Sequence, residues 1–580
     1  MIKFLKNHWI YLVLLFVIAF GVFFRFWHLS EIPPGIYPDE AKNANDAIET
    51  LLTGEYKLFY PENNGREGLY IWIIAWSYKL FGISVYALKF PGALMGTLTI
   101  IGTYLATKEM LRYATNDNGH NLKIKLSQIG IETAALLSSG FLALSFWHVN
   151  FSRIGFRAIM VPLLLSFGLY WTFKTLRTKK FWPSVFAGIT WGLGFYTYTA
   201  FRAALIIPFG IVTIAFIGYI LETKPKINLS FFEKSYIKDG WWKVDNMFIV
   251  MIATMAPMLS YFYKNPEHFM SRATGISVFD KAEPMIAFLK NLGAHVQMLF
   301  FVGDSNWRHN FSEDPGLMLP VAIMFLFGVL YSFIAIGGGF KRKNWNSIVV
   351  HLTLFGGLNL MVLPAALATE GIPHALRAIG LMPFVFIYAG LGFLYIVRLI
   401  FPHKHHREEV WPFIFGTALI ILLLISSFQF THYFAEWGRK DEVKDAFAKN
   451  SVEIGKYFNT EDSAQKYLII NDNGIPVTYP EAVVLCDNCT DNTLPYEDAP
   501  APGDKNKLPI SANTTLFIQR THNTDIKNTT YIYPEQLPLS VDNAVFAPLS
   551  ATEEVKNQLR NFYPQGVELD LEYIWIYRVE

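Results

Sequence analysis

The chain has 580 residues, of which 52% are hydrophobic and 16% aromatic, and its mean hydropathy is +0.28. This composition is far more apolar than a soluble domain needs, and it indicates a polytopic membrane protein. The net charge of +2 hides a division, because residues 1–430 carry 36 basic and 24 acidic side chains whereas residues 431–580 carry 13 and 23. The basic residues form short clusters between apolar runs, which argues against a nucleic-acid-binding surface.

Apolar stretches of bilayer-spanning length, about 20 residues, follow one another along the first 430 residues. The first runs from Trp9 to Phe24 behind Lys3 and Lys6 and lacks a small-residue cleavage site, so we predict a retained helix and not a signal peptide. With the others it makes about eleven transmembrane helices in a mostly α-helical protein. The others lie near 87–107, 128–148, 158–177, 182–200, 203–221, 245–263, 316–337, 346–365, 376–398 and 410–430.

One further segment, Leu69–Phe81, is apolar but has only 13 residues, and counting it as a span would invert everything after it. If it does not cross, short inner loops carry 21 basic residues and the longer outer loops carry 14, as the positive-inside rule expects. Its aromatic residues suit a helix lying at the membrane interface. We therefore predict a plasma-membrane protein with a cytoplasmic N-terminus, a first outer loop at 28–86 and a large outer loop at 264–315.

The C-terminal region, residues 431–580, is predicted to be a small soluble α/β domain outside the cytoplasm, following the transmembrane domain 1–430. A helical stretch near 441–457 precedes short β-like runs between turn residues. Cys486 and Cys489 have no second pair or nearby histidine to complete a zinc site, so a small-loop disulfide and two free thiols remain alternatives. The β-like runs lie at 467–470, 482–485, 515–518, 530–533, 544–546 and 573–577.

The best candidate for chemistry is the adjacent pair Asp39 and Glu40, about a dozen residues beyond the first apolar helix. Carboxylates just outside a span can ionise in interfacial water and still meet a lipid-borne substrate. Pro38 and the apolar positions that follow also predict the start of an amphipathic helix. Asp39 as a helix cap is therefore the alternative interpretation.

Four outer connections carry arginine-containing polar motifs, at 61–68, 146–157, 196–202 and 370–377. Arginine is costly in hydrocarbon and its planar fork suits phosphate, so its recurrence on the less basic side predicts a shared anionic ligand. Snorkelling to lipid headgroups, or ion pairing with Asp39, Glu40 or Glu67, is the alternative. The arginines are Arg66, Arg153, Arg157, Arg202 and Arg377.

The order of these motifs resembles the GT-C membrane glycosyltransferases, in particular the protein mannosyltransferase and aminoarabinose transferase superfamily. The resemblance is carried by the acidic pair after the first helix, by Gly65-Arg66-Glu67 with the apolar stretch after it, and by the segment 87–99. It covers roughly residues 1–210, gains support from His374-Ala-Leu-Arg377, and is weak in the acidic C-terminal region. It implies a GT-C fold and the topology that the charges predict.

The resemblance also implies transfer of a sugar from a polyprenyl-phosphate carrier to a protein, lipid or glycan acceptor outside the cytoplasm, with inversion at the anomeric carbon. Asp39 would be the general base that deprotonates the acceptor hydroxyl, and Glu40 would orient it or help to bind the acceptor. The predicted contacts to the donor phosphate are Arg66, Arg153, Arg157, Arg202, His374 and Arg377, and those to acceptor or sugar are Glu67, His148, Tyr196 and Tyr198.

The sequence departs from the superfamily at two places. Arg66 stands where lipid A-modifying relatives carry Lys-Pro-Pro, and Arg153 and Arg157 stand where many relatives carry a second Asp before a Pro. Some GT-C enzymes use a divalent cation, but no His/Asp cluster at ligand spacing is visible, so no metal ligand is assigned. No nucleotide-binding signature is visible either, in keeping with a lipid-linked donor.

Two functions of other classes compete with the transferase. A lipid or polysaccharide transporter would carry its polar residues deep within the spans and in repeated halves, whereas here they gather on one face. A membrane receptor is the other alternative, and its C-terminal domain would then be the functional part.

Overall fold

The computed structural model describes residues 2–115, 128–223, 240–270, 277–401, 411–472, 475–478, 507–524, 526 and 529–580. Helices dominate up to residue 460, and strands and helices alternate beyond it. The α-helices in these ranges are α1 Ile2–Phe26, α2 Pro38–Thr53, α3 Leu69–Phe81, α4 Val85–Thr115, α5 Gln128–Leu144, α6 Phe146–Arg153, α7 Met160–Thr178, α8 Phe181–Leu193, α9 Phe201–Ala204, α10 Ile206–Thr223, α11 Trp242–Lys264, α12 Pro266–Met270, α13 Pro284–Phe300, α14 Leu319–Arg342, α15 Trp345–Ala366, α16 Met382–Ile400, α17 Trp411–Phe430, α18 Asp441–Ala446, α19 Lys449–Thr460, α20 Asn513–His522 and α21 Glu553–Phe562.

The strands are few and short until the C-terminal region. They are β1 Phe59–Tyr60, β2 Arg66–Glu67, β3 Gln465–Ile469, β4 Pro476–Thr478, β5 Lys507–Pro509, β6 Thr529–Ile532, β7 Ala544–Pro548, β8 Val567–Asp570 and β9 Trp575–Val579.

The multi-pass membrane architecture is confirmed. In the described ranges, eight helices are long and apolar enough to cross a bilayer, and a ninth span results if α5 and α6, which meet at a 58° bend, count as one. Each predicted apolar stretch contains helix, but α8 has only 13 residues and the described apolar part of α1 is Ile10–Phe26. The number of eleven spans stays a prediction, as does the membrane-surface position of α3.

The chain forms two compact units. The first comprises residues 1–27 and 92–435, and the second comprises residues 28–91 and 436–580. The C-terminal boundary of the first unit lies close to the predicted boundary at residue 430, but the first outer loop belongs to the same compact unit as the C-terminal region. The division into domains 1–430 and 431–580 stays a prediction. The contacts in the folded chain instead group residues 28–91 with the C-terminal region.

The C-terminal region contains a five-stranded sheet with the order β6-β3-β7-β9-β8. Strand β3 runs parallel to both β6 and β7, whereas β9 pairs antiparallel with β7 and β8. Alternate residues of β3 and β7 enter separate apolar clusters, for example Leu468 in one and Ile469 in the other, as the two-residue period of a strand requires. The predicted α/β character of this region is confirmed.

One predicted strand is wrong, because residues 515–518 lie inside helix α20. The run Thr515-Leu-Phe-Ile518 is rich in β-formers, but every residue from Asn513 to Arg520 is buried. A helix that is buried on all sides shows no amphipathic period, so sequence pattern cannot separate it from a buried strand. The predicted strand at 482–485 and both cysteines lie outside the described residues.

Candidate functional site

The acidic pair lies in the first turn of α2. Tyr37 occupies the N-cap position with extended backbone, and Pro38 begins the helix, where its fixed φ and missing N–H are well tolerated. Asp39 and Glu40 follow and place negative charge at the positive end of the helix dipole. The alternative that Asp39 itself caps the helix is therefore wrong.

Asp39 is half-buried and is held by one neighbour. Its carboxylate accepts a hydrogen bond from the side-chain amide of Asn63, at the tip of the hairpin formed by β1 and β2. Asn63, Asn64 and Gly65 have φ values of 52°, 61° and 80°, a left-handed turn that asparagine and glycine adopt most readily. The hairpin therefore fixes the direction of the Asp39 carboxylate.

Glu40 is in a different environment, since its side chain is fully buried. Burial, together with the negative charge of Glu40, raises the pKa values of the Tyr70 and Tyr78 hydroxyls on α3. Both tyrosines consequently stay protonated at neutral pH. Glu40 thus belongs to the packing of α2 on α3, and Asp39 is the more exposed member of the pair.

Arg66 is buried, with 1% of its surface exposed, and is part of a charged network on α2. Its Nη2 lies 2.6 Å from Asp46 Oδ2, and its Nη1 donates to Asn43 Oδ1 at 2.9 Å. Lys42 Nζ lies 2.8 Å from Asp46 Oδ1 and 3.1 Å from a carboxylate oxygen of Glu62. Burial alone would raise the pKa of Asp46, but attraction by Arg66 and Lys42 lowers it.

A cavity of about 390 Å³ opens beside this network. Lys42 and Arg66 supply positive charge to its wall, and Glu49 and Glu62 supply negative charge. Such a lining of donors and acceptors suits a polar ligand. Glu67, the other predicted contact in this loop, is buried in β2 opposite Phe59.

In the first unit, Arg153 and His148 are interior residues of α6. Arg153 donates to the backbone oxygens of Phe24 and Trp27 at 2.9 and 2.8 Å, at the C-terminal end of α1, where carbonyls lack helical partners. His148 Nδ1 lies 2.5 Å from Nη2 of the buried Arg25. Both residues thus make internal polar contacts that join α1 to α6.

The side chains of the motif at 196–202 likewise contact other groups of the protein. The Arg157 guanidinium lies 5.5 Å from the Tyr198 ring centre, and the Tyr196 hydroxyl donates to the Thr254 carbonyl at 2.8 Å. Arg202 lies 4.4 Å from the Phe269 ring centre and also donates to that residue's carbonyl. Arg157 is buried, whereas Arg202 is partly exposed.

His374 belongs to a cluster that the sequence motifs do not indicate, and we name Asp304, His309 and His374 the Asp-His-His cluster. Asp304 Oδ2 lies 2.9 Å from His309 Nδ1 and accepts from the Ala375 N–H at 2.8 Å. The His309 and His374 ring centres are 4.7 Å apart. The backbone N–H of His374 donates to His295 Nε2 at 3.1 Å.

Both histidines of this cluster are neutral at pH 7. Burial lowers the pKa of His309, although Asp304 opposes the shift. Burial, the neighbouring His309 and the charge of Arg377 hold the pKa of His374 well below its usual range. Arg377 itself donates to the Glu370 carbonyl at 2.7 Å.

Sequence reasoning missed Asp304 and His309 because their partner, His374, follows 65 residues later, beyond α14 and α15. The only local signal is an Asp and a His five residues apart in the large outer loop. The cluster becomes visible only when the loop between α13 and α14 meets the segment between α15 and α16.

No family model matches this sequence. An uncharacterized protein of Aquifex aeolicus is 25% identical over 218 residues, which are 35% of this chain and 38% of that protein. Among solved structures, the chain is similar to the Archaeoglobus fulgidus oligosaccharyltransferase tethered with an acceptor peptide, at 14% identity and a TM-score of 0.45 over 80% of this chain and 58% of the other. It is also similar to ArnT from Cupriavidus metallidurans bound to undecaprenyl phosphate, at 11% identity and a TM-score of 0.44 over 99% and 98% of the two chains.

Proposed function

We propose that this protein is an inverting glycosyltransferase that moves a sugar from a polyprenyl-phosphate carrier to an acceptor on the extracytoplasmic face of the membrane. The observation that carries the proposal is the contrast within the acidic pair. Asp39 is half-buried and is oriented by Asn63, whereas Glu40 is fully buried in the packing of α2 on α3. A carboxylate that is fixed but accessible is what a general base requires.

In the proposed reaction, Asp39 accepts the proton of the acceptor hydroxyl as that oxygen bonds to the anomeric carbon of the sugar. The bond from this carbon to the phosphate oxygen breaks at the same time, and the electron pair leaves with the polyprenyl phosphate. Attack opposite to the leaving group inverts the anomeric configuration. Negative charge grows on the phosphate, so fixed cations there would stabilise the transition state more than the ground state.

Among the predicted phosphate contacts, Arg66, Arg157, Arg202, His374 and Arg377 remain our candidates. Arg66 lines a cavity together with Lys42, and Arg202 and Arg377 are partly exposed. Arg153 also stays a prediction, and its guanidinium donates to the carbonyls at the end of α1. The polar cavity of the first outer loop is the place where we propose that sugar or acceptor hydroxyls bind.

The decisive experiment compares Asp39→Asn with Glu31→Gln, an exposed acid of the same loop that does not line the cavity. Membranes that contain each variant receive labelled polyprenyl-phosphate hexoses and pentoses, and transfer is measured. We expect Asp39→Asn to lower the rate by about 10²-fold or more, the usual contribution of a general base, and Glu31→Gln to leave it unchanged. Full transfer by Asp39→Asn, present at the wild-type level in the membrane, would overturn the proposal.

A further inference from the structure

The Asp-His-His cluster brings three ligand groups together in the segments that precede α14 and α16. One ligand atom from each of Asp304, His309 and His374 lies within 4.8 Å of the other two. A tetrahedral zinc site with bonds of about 2.1 Å has ligand atoms about 3.4 Å apart. Side-chain rotations that move the ligand atoms by about an ångström therefore close the cluster around an ion.

We propose that Asp304, His309 and His374 bind a divalent transition-metal ion, and that zinc is the ion that suits them best. Two imidazoles and one carboxylate are a ligand set that zinc takes readily, whereas calcium and magnesium prefer oxygen atoms alone. Three protein ligands leave the fourth tetrahedral position to a water molecule or to an anionic oxygen.

The residues around the cluster hold its ligand groups in place, as outer contacts do in metal sites. Asp304 is fixed by the Ala375 N–H, and the backbone of His374 is fixed by the buried imidazole of His295. The ring of Phe151 lies 5.6 Å from that of His309. Such outer contacts orient the ligands before the ion arrives and strengthen its binding.

The charges around the site indicate which kind of fourth ligand would suit the ion. The ion and Asp304 together carry one positive charge, and Arg308 and Arg377 are close enough to act on the pKa of His309. An anionic oxygen at the fourth position would balance this charge better than a neutral one. The ion would also fasten the large outer loop to the segment before α16, joining residues that are 65 positions apart in the chain.

The test uses the full-length, untagged protein in detergent, stripped of metal with a chelator and titrated with zinc against a colorimetric competitor. We expect one zinc ion per wild-type chain and a loss of affinity of about 100-fold or more in His309→Ala and in His374→Ala. The matched control is His432→Ala, which removes a different outer histidine, 3.1 Å from Asp314, and should keep the zinc.

A second readout separates metal binding from folding. Because an ion that binds only the folded state stabilises it, zinc should raise the melting temperature of the wild type and of His432→Ala but not that of His374→Ala. Asp304→Asn keeps the size of the side chain and should also bind zinc more weakly than the wild type. It serves as the test variant if His374→Ala fails to fold. Absence of stoichiometric zinc in the wild type, or equal zinc binding by the wild type, His374→Ala and Asp304→Asn, would overturn the proposal. Both readouts are independent of glycosyl transfer.

Discussion

The neighbouring carboxylates of Asp39 and Glu40 lie in different environments because successive residues of a helix point about 100° apart. Asp39 faces an accessible side, where Asn63 contacts it, and Glu40 faces Tyr70 and Tyr78 in the interior. Asp46, further along the same helix, forms an ion pair with Arg66 at 2.6 Å. Sequence proximity indicated which loop is charged but could not indicate which acid meets which base.

At the residue scale, we predict that Asp46→Asn destabilises the protein by about 3 kcal/mol at pH 7, because it leaves the buried Arg66 without its counter-charge. The folded-state pKa of Asp46 is lowered, so the stabilisation is fully present above its ordinary pKa of about 3.9. It should be lost as the pH falls through the lower folded-state value. Thermal unfolding of both proteins between pH 7 and pH 3 measures this convergence.

The matched control for this prediction is Asp441→Asn, which removes the acid of a surface pair with Lys444. A solvent-exposed pair contributes little, so the melting temperature should not change. A stability difference between wild type and Asp46→Asn that stays constant down to pH 3 would contradict the assignment of the effect to the ionised carboxylate.

At the scale of elements, the first outer loop is part of the C-terminal domain's own packing. Helix α2 contacts α20 through Asn45, whose side-chain amide donates to the side-chain oxygen of Asn513 at 3.0 Å. Glu49 accepts from Arg520, and the Thr514 hydroxyl donates to the Ile36 carbonyl at 2.9 Å. These contacts hold the helix that carries Asp39.

Gly35 lies at a close approach in this packing, since a Cβ there would collide with the backbone oxygen of Phe447. We predict that Gly35→Ala destabilises the protein by about 1–3 kcal/mol, as overpacking does, and lowers transfer by displacing the chain just before α2. Thermal unfolding and the transfer assay measure the two effects.

Gly293→Ala is the control of opposite sign. Gly293 lies inside α13, and a Cβ there meets nothing within 4 Å, so alanine should be neutral or stabilise by about 0.5–1 kcal/mol. If Gly35→Ala behaved like Gly293→Ala, the close approach of residues 35 and 447 would not matter to the fold.

Most helices and most of the C-terminal strands could be predicted from the sequence, because bilayer length and two-residue alternation leave clear patterns. Asp39 could also be singled out, because an acid just outside a span is unusual in such an apolar chain. The role of α20 could not be predicted, since full burial removes its period. The Asp-His-His cluster could not be predicted either, since its members meet only through the packing of distant segments.

At the scale of the whole molecule, the C-terminal region is the support of the proposed base. Removal of residues 436–580 would expose the face of α2 that carries Asn45 and Glu49. We therefore predict that a protein truncated after Ala435 enters the membrane but transfers no sugar, and that a protease cleaves its residues 28–91 faster than in the full chain.

This truncation also discriminates the receptor alternative. Transfer by the truncated protein at the full-length rate would show that α2 needs no support from α20. Partial transfer with a changed acceptor preference would instead assign acceptor choice to the C-terminal region. The amount of truncated protein in the membrane, measured with an antibody to the first unit, serves as the reference for each rate.

The divided second unit has a consequence for the order in which the protein is made. Its first part, residues 28–91, leaves the ribosome early, and residues 92–435 must be synthesised before the second part begins. At about 5–20 residues per second this interval lasts roughly 20–70 s. During it α2 has neither α20 nor Phe447 beside it, so we expect newly made chains to stay inactive and vulnerable to proteases until their last strand has been translated.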